Sequence, residues 1–294
     1  MNRVLVIVVT YNAMKWVDRC FGSVMLSRLP ADVIVIDNGS TDGTREYIKE
    51  YFPDVMLVST GENLGFGRAN NIGFRHALKH GYEYVYLLNQ DAWVFPDTFG
   101  ILVKAMEDDR SLGILSPMQM AACLDRPDPR FEKRCPKAAF RDMDSRWRSG
   151  KVYGVRFVMA AHWMISRECL ENVGGFSPAF AHYGEDDNFI HRTVYKGYRV
   201  GINSGAKAVH DREMRPMSKE ASMRLKCVAS VVKVSNPLEK LWFRMMFQPL
   251  ELLAISIRYR SGSVFRYIFT LIRSYRNLKA IRSESLDDMA FLKQ

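Results

Sequence analysis

The sequence lacks a cysteine framework. Its five cysteines (positions 20, 123, 135, 169 and 227) are odd in number, widely scattered and never spaced as CxxC, which argues against a secreted disulfide scaffold and for a reducing compartment. His76, His80, His162, His182 and His191 show no zinc-site spacing with them. Long apolar runs are missing too: none reaches the roughly 18 residues a membrane span requires. The amino-terminal run from Val4 to Val9 ends at once in Thr10-Tyr11-Asn12, so it reads as a buried strand and not as a signal peptide. No GxxxxGK[ST] occurs, and GFGRANNIG at 65–73 has Asn70 where a dinucleotide fingerprint needs its third glycine. Internal repeats and low-complexity tracts are absent.

What is present is globular material. The 294 residues fit one large domain or two small ones, and 48% hydrophobic with 25% charged residues exclude disorder. A net charge of +10 suggests an anionic partner: nucleotide, nucleic acid or membrane surface. Through residue 120, short runs rich in β-branched and aromatic residues (Leu5 to Val9, Val33 to Ile36, Val55 to Val58, Tyr84 to Leu88) read as strands buried on both faces. Segments of helical spacing lie between them, carried by Trp16, Cys20, Phe21 and Val24, then Tyr47, Ile48 and Tyr51, then Ala69, Ile72, Ala77 and Leu78. That alternation predicts right-handed crossovers and a mainly parallel sheet. Residues 123–150 are charged and aperiodic and read as a surface loop or lid. Strand character returns over 152–165, 198–202 and 206–209.

Polar clusters follow each of the first four strands: Thr10, Tyr11 and Asn12; Asp37 to Asp42; Glu62 to Gly67; and Asn89, Gln90 and Asp91. In a parallel sheet all four meet at one edge, where open α/β sheets bind ligands. Tyr11 can stack on a base, Asp37 can accept from a ribose hydroxyl or a base N–H, and the glycines admit close backbone approach. Each cluster also has a plainer reading. Asp37 to Asp42 can form a turn with a helix cap, Asp91 can cap a helix near Pro96, and Glu185-Asp186-Asp187 can be an acidic helix start. His210 can be a hydrogen-bonded structural histidine.

VTYN at 9–12, VIDNGSTDGT at 35–44, NLGFGRANNIG at 63–73, LLNQDAWV at 87–94 and YGEDDNFIHR at 183–192 stand in one order. Together they resemble a family 2 glycosyltransferase of the GT-A fold, near bacterial rhamnosyltransferases and related cell-surface polysaccharide enzymes. The resemblance spans about residues 1–215. It implies an α/β fold with a Rossmann-like central sheet, and inverting sugar transfer from a nucleotide diphosphate donor to a glycan or lipid-linked glycan hydroxyl, with Mg2+ or Mn2+. It implies nucleotide binding by Thr10, Tyr11, Asn12, Asp37, Asn63, Arg68, Asn89 and Gln90, metal contact by Asp91 and His210, and Asp186 as catalytic base. Asn89 replaces the first acid of the family's Asp-x-Asp, so metal binding rests mainly on Asp91.

Residues 1–215 thus read as a catalytic domain, with a nucleotide-sugar half (1–120) and an acceptor half (121–215), and 216–294 as a helical basic extension. Between 236 and 282, nine lysines and arginines face two acids, interleaved with Trp, Phe, Tyr, Leu and Ile. This suits an amphipathic element on an anionic membrane, at the inner face of the cell membrane. Helices packed with a solvated basic face are the alternative. No recognised nucleic-acid module accompanies the basic residues. Two rival functions stay open: a sugar nucleotidyltransferase, for which VTYNAMKWVDRC offers no basic phosphate loop, and a catalytically silent sugar or lipid binder.

Overall fold

The computed structural model describes residues 3–141, 150–180, 183–212 and 218–293. The first half follows the predicted alternation: β1 (Val4–Thr10), α1 (Val17–Met25), β2 (Ala31–Asp37), α2 (Thr44–Tyr51), β3 (Met56–Ser59), α3 (Phe66–Lys79) and β4 (Tyr84–Asn89). Side chains alternate across a strand, and in β1 both sets are apolar. Leu5 and Ile7 enter one core cluster with α3, and Val4, Val6 and Val8 enter the other with α1. A strand apolar on both faces must be covered on both, so helices lie on each side of the sheet. β3 departs from expectation. It is the sheet edge, and Met56 and Ser59 are exposed.

The chain continues through β5 (Ala92–Val94), α4 (Thr98–Asp108), β6 (Leu112–Met120), α5 (Pro129–Glu132), α6 (Lys137–Arg141), β7 (Val152–Gly154), β8 (His162–Ser166), α7 (Arg167–Val173), α8 (Glu185–Tyr195) and β9 (Arg199–His210). The strand order is β3-β2-β1-β4-β8-β6-β9-β5, with β7 beside β9. β1 to β4 are mutually parallel where they pair, as is β6 with β9, whereas β8, β5 and β7 pair antiparallel, so the sheet is mixed beyond β4.

Three expectations are corrected here. The 123–150 segment is not a surface loop throughout, because Phe131, Cys135 and Ala139 anchor it in the core; its 142–149 portion lies outside the described residues, as does His182. The stretch 152–165 is not one strand but β7 and part of β8 joined by irregular chain. The runs at 198–202 and 206–209 are one strand, β9, kept continuous across a register shift against β6 near Pro117.

The extension forms α9 (Lys219–Ser235), α10 (Leu241–Tyr259), α11 (Val264–Arg273) and α12 (Tyr275–Glu284) around a small core of its own, including Met223, Leu252, Val264 and Leu271. No helix among the described residues is long and apolar enough to cross a membrane. The chain then returns to the sheet's own core, where Gly175 N donates to Ala290 O at 2.7 Å and Leu292 joins the main core cluster.

α8 is pinned from inside by Arg192, which is fully buried. Its Nη1 donates to Val173 O at 2.6 Å, its Nη2 to Gly175 O, and its Nε to Asn188 Oδ1 at 3.1 Å. Burial pushes the guanidinium down to about 9, still charged at neutral pH. Arg192→Leu leaves those buried acceptors unmet and should lower stability by about 3 kcal/mol. Urea denaturation measures this, and an unchanged midpoint would contradict the role.

Candidate active site

The ladder register aligns the strand ends: Thr10 lies opposite Asp37, Asp37 opposite Ser59, and Val9 opposite Asn89. The loops leaving them are tied side to side. Asn38 N donates to Thr10 O at 2.7 Å, and Asn12 N to Ser40 Oγ at 3.0 Å. Gln90 reads both backbone groups of Tyr11, accepting from its N–H at 2.7 Å and donating to its carbonyl at 3.2 Å. The Tyr11 ring itself remains 49% exposed. Asn63 Oδ1 accepts from Gly65 N at 2.9 Å, turning the chain into α3, and Arg68 stands exposed on the first turn of that helix.

Asp37 ends β2. Its side chain is fully buried, and its oxygens accept from Thr10 Oγ1 at 3.1 Å, Gly39 N at 3.3 Å, Ser40 N at 3.1 Å and the Ser40 hydroxyl. With these acceptor positions engaged it orders the turn behind the rim. The turn in the plainer reading of this cluster describes Asp37; Asp42 Oδ1 accepts from Thr44 N, but the N-cap of α2 is Gly43 and has no side-chain cap bond. Asp91 does not cap α4, whose N-cap is Asp97.

Asp91 faces His210, because β5 pairs with β9 so that Ala92 lies opposite His210. Asp91 Oδ1 is 3.4 Å from His210 Nε2, and Arg212 Nη2 is 3.1 Å from His210 Nδ1. A guanidinium only donates, so Nδ1 accepts and the proton sits on Nε2, toward Asp91. Burial alone would raise the Asp91 carboxyl, but the hydrogen bond from His210, aided by the charge of Arg212, holds it below its usual value. Arg212 also reaches Asp128 Oδ2 at 3.3 Å, and Trp16 Nε1 donates to Asp211 Oδ2 at 3.1 Å. Next to this corner, His162 accepts from Tyr86 OH at 2.9 Å and donates from Nε2 to Val209 O, and burial drives it down to about 3. It is a neutral core histidine.

Glu185, Asp186 and Asp187 form the first turn of α8, after Gly184 at φ 89°. Glycine is needed here twice. A Cβ at Gly184 would meet Val232 Cγ2 at 2.6 Å, and one at Gly67 would meet Phe176 Cβ at 2.9 Å and Glu185 Cβ at 3.9 Å. The start of α8 therefore lies against the start of α3, on the rim. It also approaches β4: the Ala160 N–H acts on the Asp186 carboxylate, and the next residue, Ala161, accepts from Asn89 N at 3.1 Å. Burial raises all three acids, Glu185 and Asp187 to about 7. Glu185 Oε2 is buried with no partner among the described residues.

Sequence reasoning missed Arg134. Its charge lowers Asp186 and Asp187 against the burial effect, and its guanidinium lies 4.3 Å from the Phe157 ring centroid. No local pattern marks it, since it comes from the segment read as a lid.

A mixed α/β sheet with this rim has the GT-A architecture. S. aureus TarS (residues 1–349, in complex with UDP) superposes with a TM-score of 0.59 at 15% identity, covering 97% of this chain and 89% of that one. A mannosyltransferase from Pyrobaculum calidifontis in complex with GDP-Man and Mn2+ superposes at 0.56 with 20% identity, covering 99% and 88%. The chain belongs to glycosyl transferase family 2, whose profile matches residues 5–174. It is 42% identical over 67 residues to an N-acetylglucosaminyl-diphospho-decaprenol L-rhamnosyltransferase of Mycobacterium tuberculosis, covering 22% of each chain. It is 25% identical over 202 residues to the low-salt glycan biosynthesis hexosyltransferase Agl10 of Haloferax volcanii, covering 66% of this chain and 64% of that one. The matches thus span less than two thirds of either relative.

Arg134→Met removes the charge that opposes burial at the acid run. The Asp186 and Asp187 carboxyls should then titrate at higher pH than in the wild type, read by carbon NMR of labelled aspartates. Unchanged midpoints would take Arg134 out of the site.

Proposed function

We propose that the chain is an inverting, metal-dependent glycosyltransferase that moves a sugar from a nucleotide diphosphate donor to a glycan or lipid-linked glycan hydroxyl, in cell-surface polysaccharide assembly. The observation that carries this reading is the link through Ala160 and Ala161, which brings the acid run of α8 to the rim that bears Asp91. The lipid-linked acceptor is supported by the name of the mycobacterial relative.

In this reading the base of the donor stacks on Tyr11, held by Gln90, within the Thr10-Tyr11-Asn12 turn that Asp37 orders from behind. Asn63, Arg68 and Asn89 flank the sugar diphosphate. Asp186 takes the proton of the acceptor hydroxyl as the new bond forms, because an alcohol is a poor nucleophile. Its raised proton affinity brings it closer to neutral pH than an ordinary aspartate. Attack from the face opposite the diphosphate inverts the anomeric carbon.

The donor set suits a divalent ion. Asp91 is kept anionic and its side chain is 24% exposed, and His210 Nε2 points to the same place. For His210 to ligate, its proton must move to Nδ1, which requires the Arg212 contact to open. Mg2+ or Mn2+ held by Asp91 and His210 would neutralise charge on the leaving diphosphate and draw its other ligands from phosphate oxygens and water. Asp186→Asn should abolish transfer while leaving donor affinity near wild type. Asp91→Asn should weaken Mn2+-dependent donor binding, and His210→Gln should weaken it less. Calorimetry with and without Mn2+ separates these effects, and strong residual transfer by Asp186→Asn would remove it as the base.

The proposal places the enzyme at the inner membrane face through 236–282. Its support is a pair of helices with exposed apolar stripes, Trp242, Met246, Leu250 and Ile257 on α10 and Phe265, Phe269 and Ile272 on α11, flanked by exposed Arg258, Arg260, Arg266 and Arg273. Such a surface suits anionic headgroups over acyl chains. The full chain should float with vesicles containing anionic phospholipid, and the variant Leu250→Glu/Ile257→Glu/Phe269→Glu should not. Equal recovery of both would count against docking.

A further inference from the structure

A cleft of about 850 Å³ lies between α8 and the α9–α10 connection, lined by residues that include Arg156, Ile190, His191, Val194, Leu238 and Trp242. We infer that this cleft receives the hydrocarbon chain and linking phosphate of a lipid-borne acceptor, whose sugar end reaches Asp186. The inference rests on the transferase reading and assigns a place to its acceptor.

The cleft begins beside the proposed chemistry. Asp187, His191 and Val194 fall at i, i+4 and i+7 on one face of α8. The lining, which begins at Ile190, therefore starts about 4.5 Å along the helix axis from the acid run. This end is basic. Arg156 is the neighbour of Phe157, whose ring carries the Arg134 guanidinium that acts on Asp186 and Asp187. Glu239, the acid in the lining, is neutralised by Arg244, whose Nε donates to it at 2.6 Å. An anion in the cleft thus meets Arg156 and Lys240 of the lining, and no free carboxylate from Glu239.

The wall offers one unmet polar atom. His191 Nδ1 is buried and has no partner among the described residues, and burial lowers the imidazole, opposed by the charge of Glu239. A neutral ring there can donate to or accept from a ligand oxygen. The far end is apolar. Leu238, Trp242 and Phe243 open onto the exposed stripe of α10 that continues through Met246, Leu250 and Ile257. A purely polar ligand would leave these side chains uncovered, and an uncharged lipid would leave Arg156 unmatched. A molecule with hydroxyl, phosphate and chain in that order meets Asp186, Arg156 and Trp242 in the same order.

The test uses the full chain and farnesyl diphosphate as probe, below its micelle concentration, in titration calorimetry. The wild type should bind it, inorganic pyrophosphate should displace it only at much higher concentration, and Arg156→Ala, Val194→Asp and Trp242→Ala should each weaken it by about tenfold or more. Trp242 is exposed, so Trp242→Ala carries the result if Val194→Asp does not fold. All three variants should still bind a nucleoside diphosphate with Mn2+. No binding by the wild type, binding that ignores the variants, or equal displacement by pyrophosphate would each overturn the assignment. Failure of the transferase reading is seen separately, as absence of nucleotide-sugar binding by the wild type.

Discussion

The site depends on the hydrogen-bond register of the parallel half of the sheet. Thr10 opposite Asp37 and Val9 opposite Asn89 make the carboxyl ends of β1, β2 and β4 flush. Loops that leave flush ends must crowd one another, and they do so through side chains that read neighbouring backbone, as Gln90 reads Tyr11. A shift of one residue in β1 would turn Leu5 and Ile7 to the other layer and misplace the rim at the same time. The apolar character of both faces of β1 is therefore what positions the polar loops.

Upon that frame, two carboxylates are driven in opposite directions. Asp91 is partly open and its His210 and Arg212 neighbours keep it ionised, whereas burial raises Asp186 and its two flanking acids. In the proposed reaction this divides the labour between a permanently anionic group for the ion and a proton acceptor tuned upward. The difference comes from neighbours, since both residues are aspartates with the same ordinary value. Arg192 and the glycines at 67 and 184 matter because they let α8 approach closely enough for those neighbours to act.

Much of this was legible in the sequence. Short continuous apolar runs located β1, β2 and β4, and the polar residues just beyond them located the rim, because both signals are local. Asp37 was ambiguous, since its residue type suits a ligand contact as well as the turn it orders. β3 misled in another way: an apolar run cannot reveal that its strand lies at an edge. Arg134, Phe131 and Cys135 were hidden in a charged, aperiodic segment whose burial comes entirely from tertiary packing. The pairing of Asp91 with His210 follows from antiparallel pairing of β5 and β9 across more than a hundred residues, for which one sequence carries no signal.

The four C-terminal helices extend the same arrangement outward, for α9 meets α8 through Asn188 Nδ2 donating to Ser235 Oγ at 3.3 Å. Their apolar stripes begin where the cleft along α8 ends, so the proposed chemistry and the cleft follow α8 and the surface continues on α10. The central claim is that Asp91 and the start of α8 share one cleft with the strand ends. Paramagnetic broadening of backbone amide signals by Mn2+ bound with a nucleoside diphosphate measures it most directly. The amides of Tyr11, Gly65, Asn89, Ala161 and Asp187 should fade together, while Val4, Val33 and Tyr84 at the opposite strand ends keep their intensity. Retention of the Asp187 signal, or loss at those opposite ends, would contradict the account.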